Sequence, residues 1–393
     1  CACNKIATKD RSKAAVYLDY LFREIEMQAA LYDKDRLVEQ LHWGGGTPTF
    51  LDHAQMTALM AQTRAHFPLL GEEDEHRDYS IELDPRAVQH DTLSLLRQLG
   101  FNRFSLGVQD VDPEVQQAVN RIQSLSQTRT VIEACRAQQA KSVSVDLIYG
   151  LPRQTLGSFL RTLDAIVDLQ PDRLSVFNYA HMPQLFKPQR RINPAELPSA
   201  EEKLDILRAA VEHLTAAGYE YIGMDHFARP EDELARALHN GSLHRNFQGY
   251  TTHADSDLVA MGVSAISSVA GCYSQNAKTL DEYYVALDNG ELPVVRGISL
   301  DEDDMLRRAV IQQLSCRFEL KFAPLERLYG VTFRRYFAAE LTQLQELAAD
   351  GLVELADDRV RVTGRGRFLI RTVCMVFDAY LQQQGQQRFS KVI

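Results

Sequence analysis

The sequence predicts an α/β fold: a parallel sheet built from βα units, followed by a mainly helical region. Three observations carry that expectation. Short segments rich in β-branched and aromatic residues alternate with amphipathic ones at intervals of roughly twenty-five to forty residues, the repeat of βα units. The pattern stops near Met224, where polar and aromatic residues take over. The chain has 393 residues, 45% of them hydrophobic and 24% charged. That is ordinary globular composition, long enough for two domains or for one large barrel with an appendage.

The candidate strands are residues 41–43, 79–83, 103–108, 143–148, 173–178 and 219–222. Apolar residues at helical spacing predict helices over 14–31, 54–66, 91–99, 115–119, 128–138, 156–169 and 200–217. Right-handed crossovers place the C-terminal ends of parallel strands on one open face. Gly44 to Gly46, Glu82, Asp84, Gln109 and Asp146 all fall at such ends, so a partial or full (β/α) barrel is expected. Residues 225–252 read as a long structured connection with His226, Arg229, His244, Arg245, Phe247 and Tyr250. From Leu300 the chain is mainly helical. It closes with a helix over 337–349, strands at 352–355 and 359–363 turned at Asp357-Asp358, and a last helix over about 366–382. This ending is winged-helix-like, and is expected to serve as a lid or packing unit. The domain scheme is 1–224 as core, 225–299 as connection and 300–393 as C-terminal domain.

A formal net charge of −10 argues against a nucleic-acid surface, which is normally basic. The absence of an apolar run of about twenty residues argues against a membrane helix. Six cysteines in so long a chain do not make a disulfide framework. Cys135, Cys316 and Cys374 stand among apolar neighbours and are expected to be small buried hydrophobes. A reducing cytoplasm fits.

Cys1 and Cys3 open the chain. Thiolates suit iron–sulfur clusters because soft sulfur donors match iron, but this pair alone could equally be half of a zinc site or a chance pair. Gly44-Gly45-Gly46-Thr47-Pro48-Thr49 follows a strand. Consecutive glycines let backbone approach a ligand closely. The run lacks the Gly-Lys-Ser/Thr ending of a nucleotide phosphate loop, so a small-molecule contact or a plain tight turn remains. Glu82 and Asp84, two apart on a strand, share a face and require partners if buried. Arg121, Gln109 or a ligand ammonium group would serve, and a salt-bridged strand end is the structural alternative. Asp146 lies within Val143-Ser144-Val145-Asp146-Leu147-Ile148. An acid in an apolar strand is seldom fully buried unless paired.

Taken in order, residues 41–49, 80–85, 101–110, 146–152, 174–181, 223–230, 243–252, 261–267 and the ending 388–393 resemble the oxygen-independent coproporphyrinogen III oxidase family of radical S-adenosylmethionine (SAM) enzymes. The resemblance covers nearly the whole chain; the acidic stretch 72–76 departs from it between elements. It implies a partial radical SAM barrel holding a 4Fe–4S cluster and two SAM molecules. Cys1 matches the third cysteine of the cluster motif and Cys3 the additional one after it. The first two cysteines and the first barrel strand do not appear, so the chain as written is expected to be inactive. Gly45, Gly46 and Thr47 match positions holding the methionine part of SAM. Glu82, Gln109, Arg121 and Asp146 match its other polar contacts, and Ala180 and Ile266 backbone or apolar ones. No catalytic residue is assigned.

The implied reaction is oxidative decarboxylation of two propionates of coproporphyrinogen III to vinyls, giving protoporphyrinogen IX by a 5′-deoxyadenosyl radical. The implied partners are that substrate and an electron donor such as a flavodoxin or ferredoxin. A cytoplasmic monomer is expected, with segment 225–299 near the substrate and Arg229 and Arg245 holding propionates. Surface ion pairing is the plain alternative for these arginines. The rival readings are a haem chaperone, a haem-opening radical methyltransferase, and a binding protein without its cluster. Cys3 favours the oxidase over the chaperone.

Overall fold

The computed structural model describes residues 8, 10–89, 91–254 and 256–383. They pack as two compact units, one holding residues up to 177 with 183–198 and 257–298, the other holding 178–182, 199–256 and those from 299 onward. Segment 257–298 therefore packs with the first unit, whereas 199–224 packs with the C-terminal helices.

In the first unit, α1 (Ser12–Ala29) precedes β1 (Gln40–Trp43), α2 (His53–His66), β2 (Asp78–Leu83), α3 (Thr92–Gln98) and β3 (Arg103–Gln109). Then come α4 (Pro113–Ala118), α5 (Leu125–Ala137), β4 (Ser142–Tyr149), α6 (Leu156–Val167) and β5 (Arg173–Asn178). The five strands lie side by side in chain order, and the pairings β1–β2, β2–β3 and β3–β4 are parallel. This is the α/β class the alternation predicted.

Side chains alternate across a strand, and here the two faces differ sharply. Tyr79, Ile81, Leu83, Phe104, Leu106, Val108, Val143, Val145 and Leu147 are buried on one face. α5 packs against β3 and β4 and buries Val131, Ile132 and Cys135. Each such side chain contributes roughly 1.5–3 kcal/mol by leaving water. The other face keeps Ser80, Glu82, Ser105, Gly107, Gln109, Ser144 and Asp146 half-buried.

Helix starts fix where each crossover begins. Asp52, Ser124 and Thr155 each close a capping box, with their side chains accepting from Gln55, Gln127 and Ser158. A cap of this kind is worth about 1 kcal/mol. Asp112 caps α4, with Pro113 in the first turn, where its missing N–H costs nothing.

A second sheet in this unit was not legible: Ile266–Val269, Cys272–Asn276 and Val294–Ser299 form three strands in that order. Val294–Ser299 is exposed at every position, so no apolar alternation marks it.

The second unit opens with helix Ala200–Ala216, capped by Ser199, and the antiparallel hairpin Glu220–Gly223 with His226–Ala228. Its core gathers Leu306, Val310 and Leu314 of helix Glu302–Arg317 with Phe318, Phe322, Phe333, Phe337, Leu344 and Phe377. Strands Glu319–Lys321 and Val353–Leu355 flank Arg359–Val362. The single last helix expected over 366–382 is instead three short ones, Gly364–Phe368, Ile370–Met375 and Ala379–Gln383. Leu369 leaves helical geometry (φ −111°, ψ 26°), and the Asp378 carboxylate accepts from the amides of Tyr380 and Leu381 to start a new turn. Cys135, Cys316 and Cys374 are buried as expected, and burial pushes their thiols up to about 12, 11 and 12. Among the described residues no helix is long and apolar enough to cross a membrane.

Candidate SAM site on the polar face of the sheet

The chain leaves β1 at Trp43, whose ring meets Phe101 edge-on at 4.8 Å. Gly45 then takes φ +108°, a conformation that L side chains rarely adopt. Thr47 is extended ahead of Pro48, as the proline ring requires. Its hydroxyl donates to the Gly46 carbonyl at 2.9 Å, and the short turn Pro48–Phe50 ends the loop. A Cβ added at Gly45 or Gly46 would meet nothing within 4 Å. Thr49 is buried, and its hydroxyl oxygen has no hydrogen-bond partner in the protein.

Beside this loop lies the half-buried polar face. Glu82 stands opposite Ser105, Ser105 opposite Ser144, and Gly107 opposite Asp146. The Glu82 side chain is 46% exposed, with Oε1 3.6 Å from His42 Nε2. Asp146 accepts from Ser105 Oγ at 3.0 Å. Burial pushes its carboxyl up to about 6, against the hydrogen bonds of Ser105 and Ser175 and with the help of the nearby Glu82 charge.

Gln109 ends β3 at φ 72°, where the register with β4 slips between Gly107 and Gln109. A bulge of this kind re-aims a side chain at a strand end. Arg121 Nη2 donates to the Gly107 carbonyl at 2.7 Å, and Nη1 lies 3.4 Å from Asp84 Oδ2. Arg121 Nε is buried with no hydrogen-bond partner. Asp84 also accepts from Arg86 Nε at 2.9 Å and Nη2 at 2.6 Å. Burial alone would raise its carboxyl, but Arg86 and Arg121 hold it below the usual range. Arg121 thus serves Asp84, whereas Glu82 faces His42.

The loop, Glu82, Gln109, Arg121 and Asp146 lie in one unit, as does Ile266, which opens its strand opposite Gln275. Ala180 belongs to the second unit, between Tyr179 and His181, whose side chains meet at 3.2 Å. Cys1 and Cys3 lie outside the described residues. Arg229 and Arg245 lie over the rings of Tyr219 and Tyr250, at 5.8 and 5.6 Å from their centroids.

Three residues escaped the sequence reading. His42 lies within the strand ahead of the glycines. Asp110, 2% exposed, accepts from Thr162 Oγ1 at 2.7 Å, Gln154 Nε2 at 2.6 Å and the Asp112 amide at 2.8 Å. Burial pushes its carboxyl up despite these donors. Glu24, fully buried on α1, accepts from the Gly262 amide at 2.7 Å, Asn276 Nδ2 at 2.7 Å and Tyr283 OH at 2.6 Å. An acid on the same stripe as Leu18, Ile25 and Gln28 was the available signal.

Residues 1–166 match the Radical SAM superfamily, and residues 300–369 match the HemN C-terminal domain. An oxygen-independent coproporphyrinogen III oxidase of Pseudomonas aeruginosa is 55% identical over all of this chain and 85% of its own length. The oxidase of that name from Escherichia coli K12 is 50% identical, again over 100% of this chain and 85% of its own. The chain belongs to the oxygen-independent coproporphyrinogen III oxidase family. The solved structure of coproporphyrinogen III oxidase (HemN) from Escherichia coli, described as a radical SAM enzyme, superposes with a TM-score of 0.93. That alignment covers 97% of this chain and 86% of the other at 50% identity. Oxygen-independent coproporphyrinogen III oxidases, as radical SAM enzymes, use a 4Fe–4S cluster and SAM. The described residues fit SAM: an open glycine loop, an orphaned buried hydroxyl at Thr49 and a half-buried carboxylate face suit a compact cation bearing ammonium and hydroxyl donors.

Proposed function

We propose that this protein converts coproporphyrinogen III to protoporphyrinogen IX without oxygen, by oxidative decarboxylation of two propionates to vinyls. The observation that supports the reading is the 50–55% identity to oxygen-independent coproporphyrinogen III oxidases over the whole chain, with the polar face of β2, β3 and β4 beside the glycine loop as the surface for SAM. Cys1 and its partner cysteines would hold the cluster, which with SAM would supply the one-electron chemistry for hydrogen abstraction. The chain's own residues then bind and orient. Gly45, Gly46 and Thr47 offer backbone to the methionine part of SAM. Glu82, Gln109, Arg121 and Asp146 give it polar contacts, and Ala180 and Ile266 give it backbone or apolar ones. Holding the reacting groups in place and away from water accounts for much of such an enzyme's rate.

The finer reading includes two SAM molecules, a flavodoxin- or ferredoxin-like electron donor and a cytoplasmic monomer. In it the βα core of the first unit binds SAM, and Arg229 and Arg245 of the 225–252 connection hold propionates. The test uses the complete protein, reconstituted with iron and sulfide without oxygen and given reductant, SAM and coproporphyrinogen III. Mass spectrometry should find protoporphyrinogen IX with matching 5′-deoxyadenosine. An intact cluster with no decarboxylated tetrapyrrole would overturn the proposal.

A further inference from the structure

His42 and Ser80 are register partners on β1 and β2, and Glu82 is the next residue of β2 on the same face. His42 Nδ1 lies 2.8 Å from Ser80 Oγ. The rival acceptor for that hydroxyl, the Leu41 carbonyl, is at 3.5 Å. The Ser80 hydroxyl can donate to Nδ1 or accept from it; where it donates, the imidazole carries its proton on Nε2. That proton faces Glu82 Oε1 across 3.6 Å, beyond hydrogen-bond reach and within reach of a small rotation. The His42 side chain is 26% exposed and Glu82 46%, so the pair opens onto the half-buried face. Gly44 completes the arrangement: a Cβ there would collide with His42 Nε2 and come within 3.0 Å of Glu82 Oε1. The glycine run is thus divided in purpose. Gly45 and Gly46 border empty space, while Gly44 clears the space in which histidine and glutamate meet.

We infer that His42 is a positioning residue, held by Ser80, that aims the Glu82 carboxylate at bound SAM. The inference rests on the reading of Glu82 as a SAM contact. A half-buried glutamate side chain has three free torsions, and ordering it costs conformational entropy that the imidazole offsets before a ligand arrives.

The experiment measures the SAM dissociation constant by equilibrium dialysis on the complete, cluster-loaded protein. Melting temperature and cluster absorbance of each variant are recorded alongside. His42→Gln keeps an N–H near the position of Nε2, His42→Asn keeps one only near Nδ1, and His42→Leu keeps neither. His42→Gln should bind SAM nearly as tightly as the parent, whereas His42→Asn and His42→Leu should each weaken binding about tenfold, the scale of one charge-assisted hydrogen bond. His42→Leu combined with Glu82→Ala should be no weaker than Glu82→Ala alone, since both remove one interaction. Parent-like binding by His42→Asn, or additive losses in the double variant, would overturn the assignment of His42 while leaving Glu82 as a contact. Unchanged binding by Glu82→Ala would overturn the site reading and this inference together.

Discussion

The Tyr283 hydroxyl donates to Glu24 Oε2 at 2.6 Å, joining α1 to a helix 259 positions away in the chain. The same carboxylate takes the Gly262 amide and Asn276 Nδ2, both at 2.7 Å, so it anchors segment 257–298 to the first unit. Glu24→Ala would leave three buried donors unsatisfied and should cost about 3–5 kcal/mol. Glu24→Gln, which keeps an acceptor, should cost less. Urea midpoints at constant m-value would measure both, and Glu24→Ala should also weaken SAM binding, because the anchored segment carries Ile266 only four residues beyond Gly262.

Asp146 gives the site a pH signature. Burial raises its carboxyl to about 6 from the ordinary 3.8. A raised acid holds its proton in the folded state, so its stabilising contribution is complete below about pH 4 and lost as pH rises through about 6. The ligand-free protein should therefore lose up to about 3 kcal/mol across that window, on the scale of about 1.4 kcal/mol per unit. Asp146→Asn should flatten the profile and raise the melting temperature at pH 7.5, while weakening SAM binding. A melting temperature that falls, or a profile that keeps its slope, would contradict the burial argument.

How far the sequence was legible follows from what each element buries. β2, β3 and β4 bury one face completely, so their apolar alternation marked them, and Glu82 and Asp146 stood out as acids on the opposite face. Strand Val294–Ser299 is exposed at every position and left no signal. Leu369 and Asp378 break the last helix through backbone geometry and side-chain capping that apolar periodicity does not register. His42 passed unnoticed because its role depends on register: only pairing with Ser80 brings it beside Glu82. Pairing across parallel strands is set by tertiary packing, not by neighbours in sequence.

The glycine loop allows a clean separation of folding from binding. Gly46 borders empty space and has no positive φ, so Gly46→Ala should leave the ligand-free melting temperature within about 1 °C of the parent. It should still weaken SAM binding about tenfold or more, because the added methyl occupies the space a ligand backbone contact requires. Gly44→Ala should lower both, since its methyl meets His42 and Glu82. Thermal melts with and without SAM distinguish the two patterns; equal losses of melting temperature would contradict the division of the loop.

Arg121 tests whether the charged rim of the site is structural or binding. Its guanidinium joins two strand ends, donating to Gly107 at 2.7 Å and standing 3.4 Å from Asp84. Arg86 already holds Asp84 with two hydrogen bonds, at 2.9 and 2.6 Å, so losing Arg121 does not strand a buried carboxylate. Arg121→Gln can keep one donor to the Gly107 carbonyl, and its cost to stability should stay near 1 kcal/mol. In the proposed site the Arg121 guanidinium also gives SAM a polar contact. SAM binding should therefore fall about tenfold or more in Arg121→Gln. Arg121→Lys, which keeps the charge but not the planar fork, should fall between parent and Arg121→Gln. Unfolding midpoints and SAM dissociation constants measured together decide it: a large stability loss with unchanged binding would make Arg121 a strut between β2 and β3 and remove it from the site.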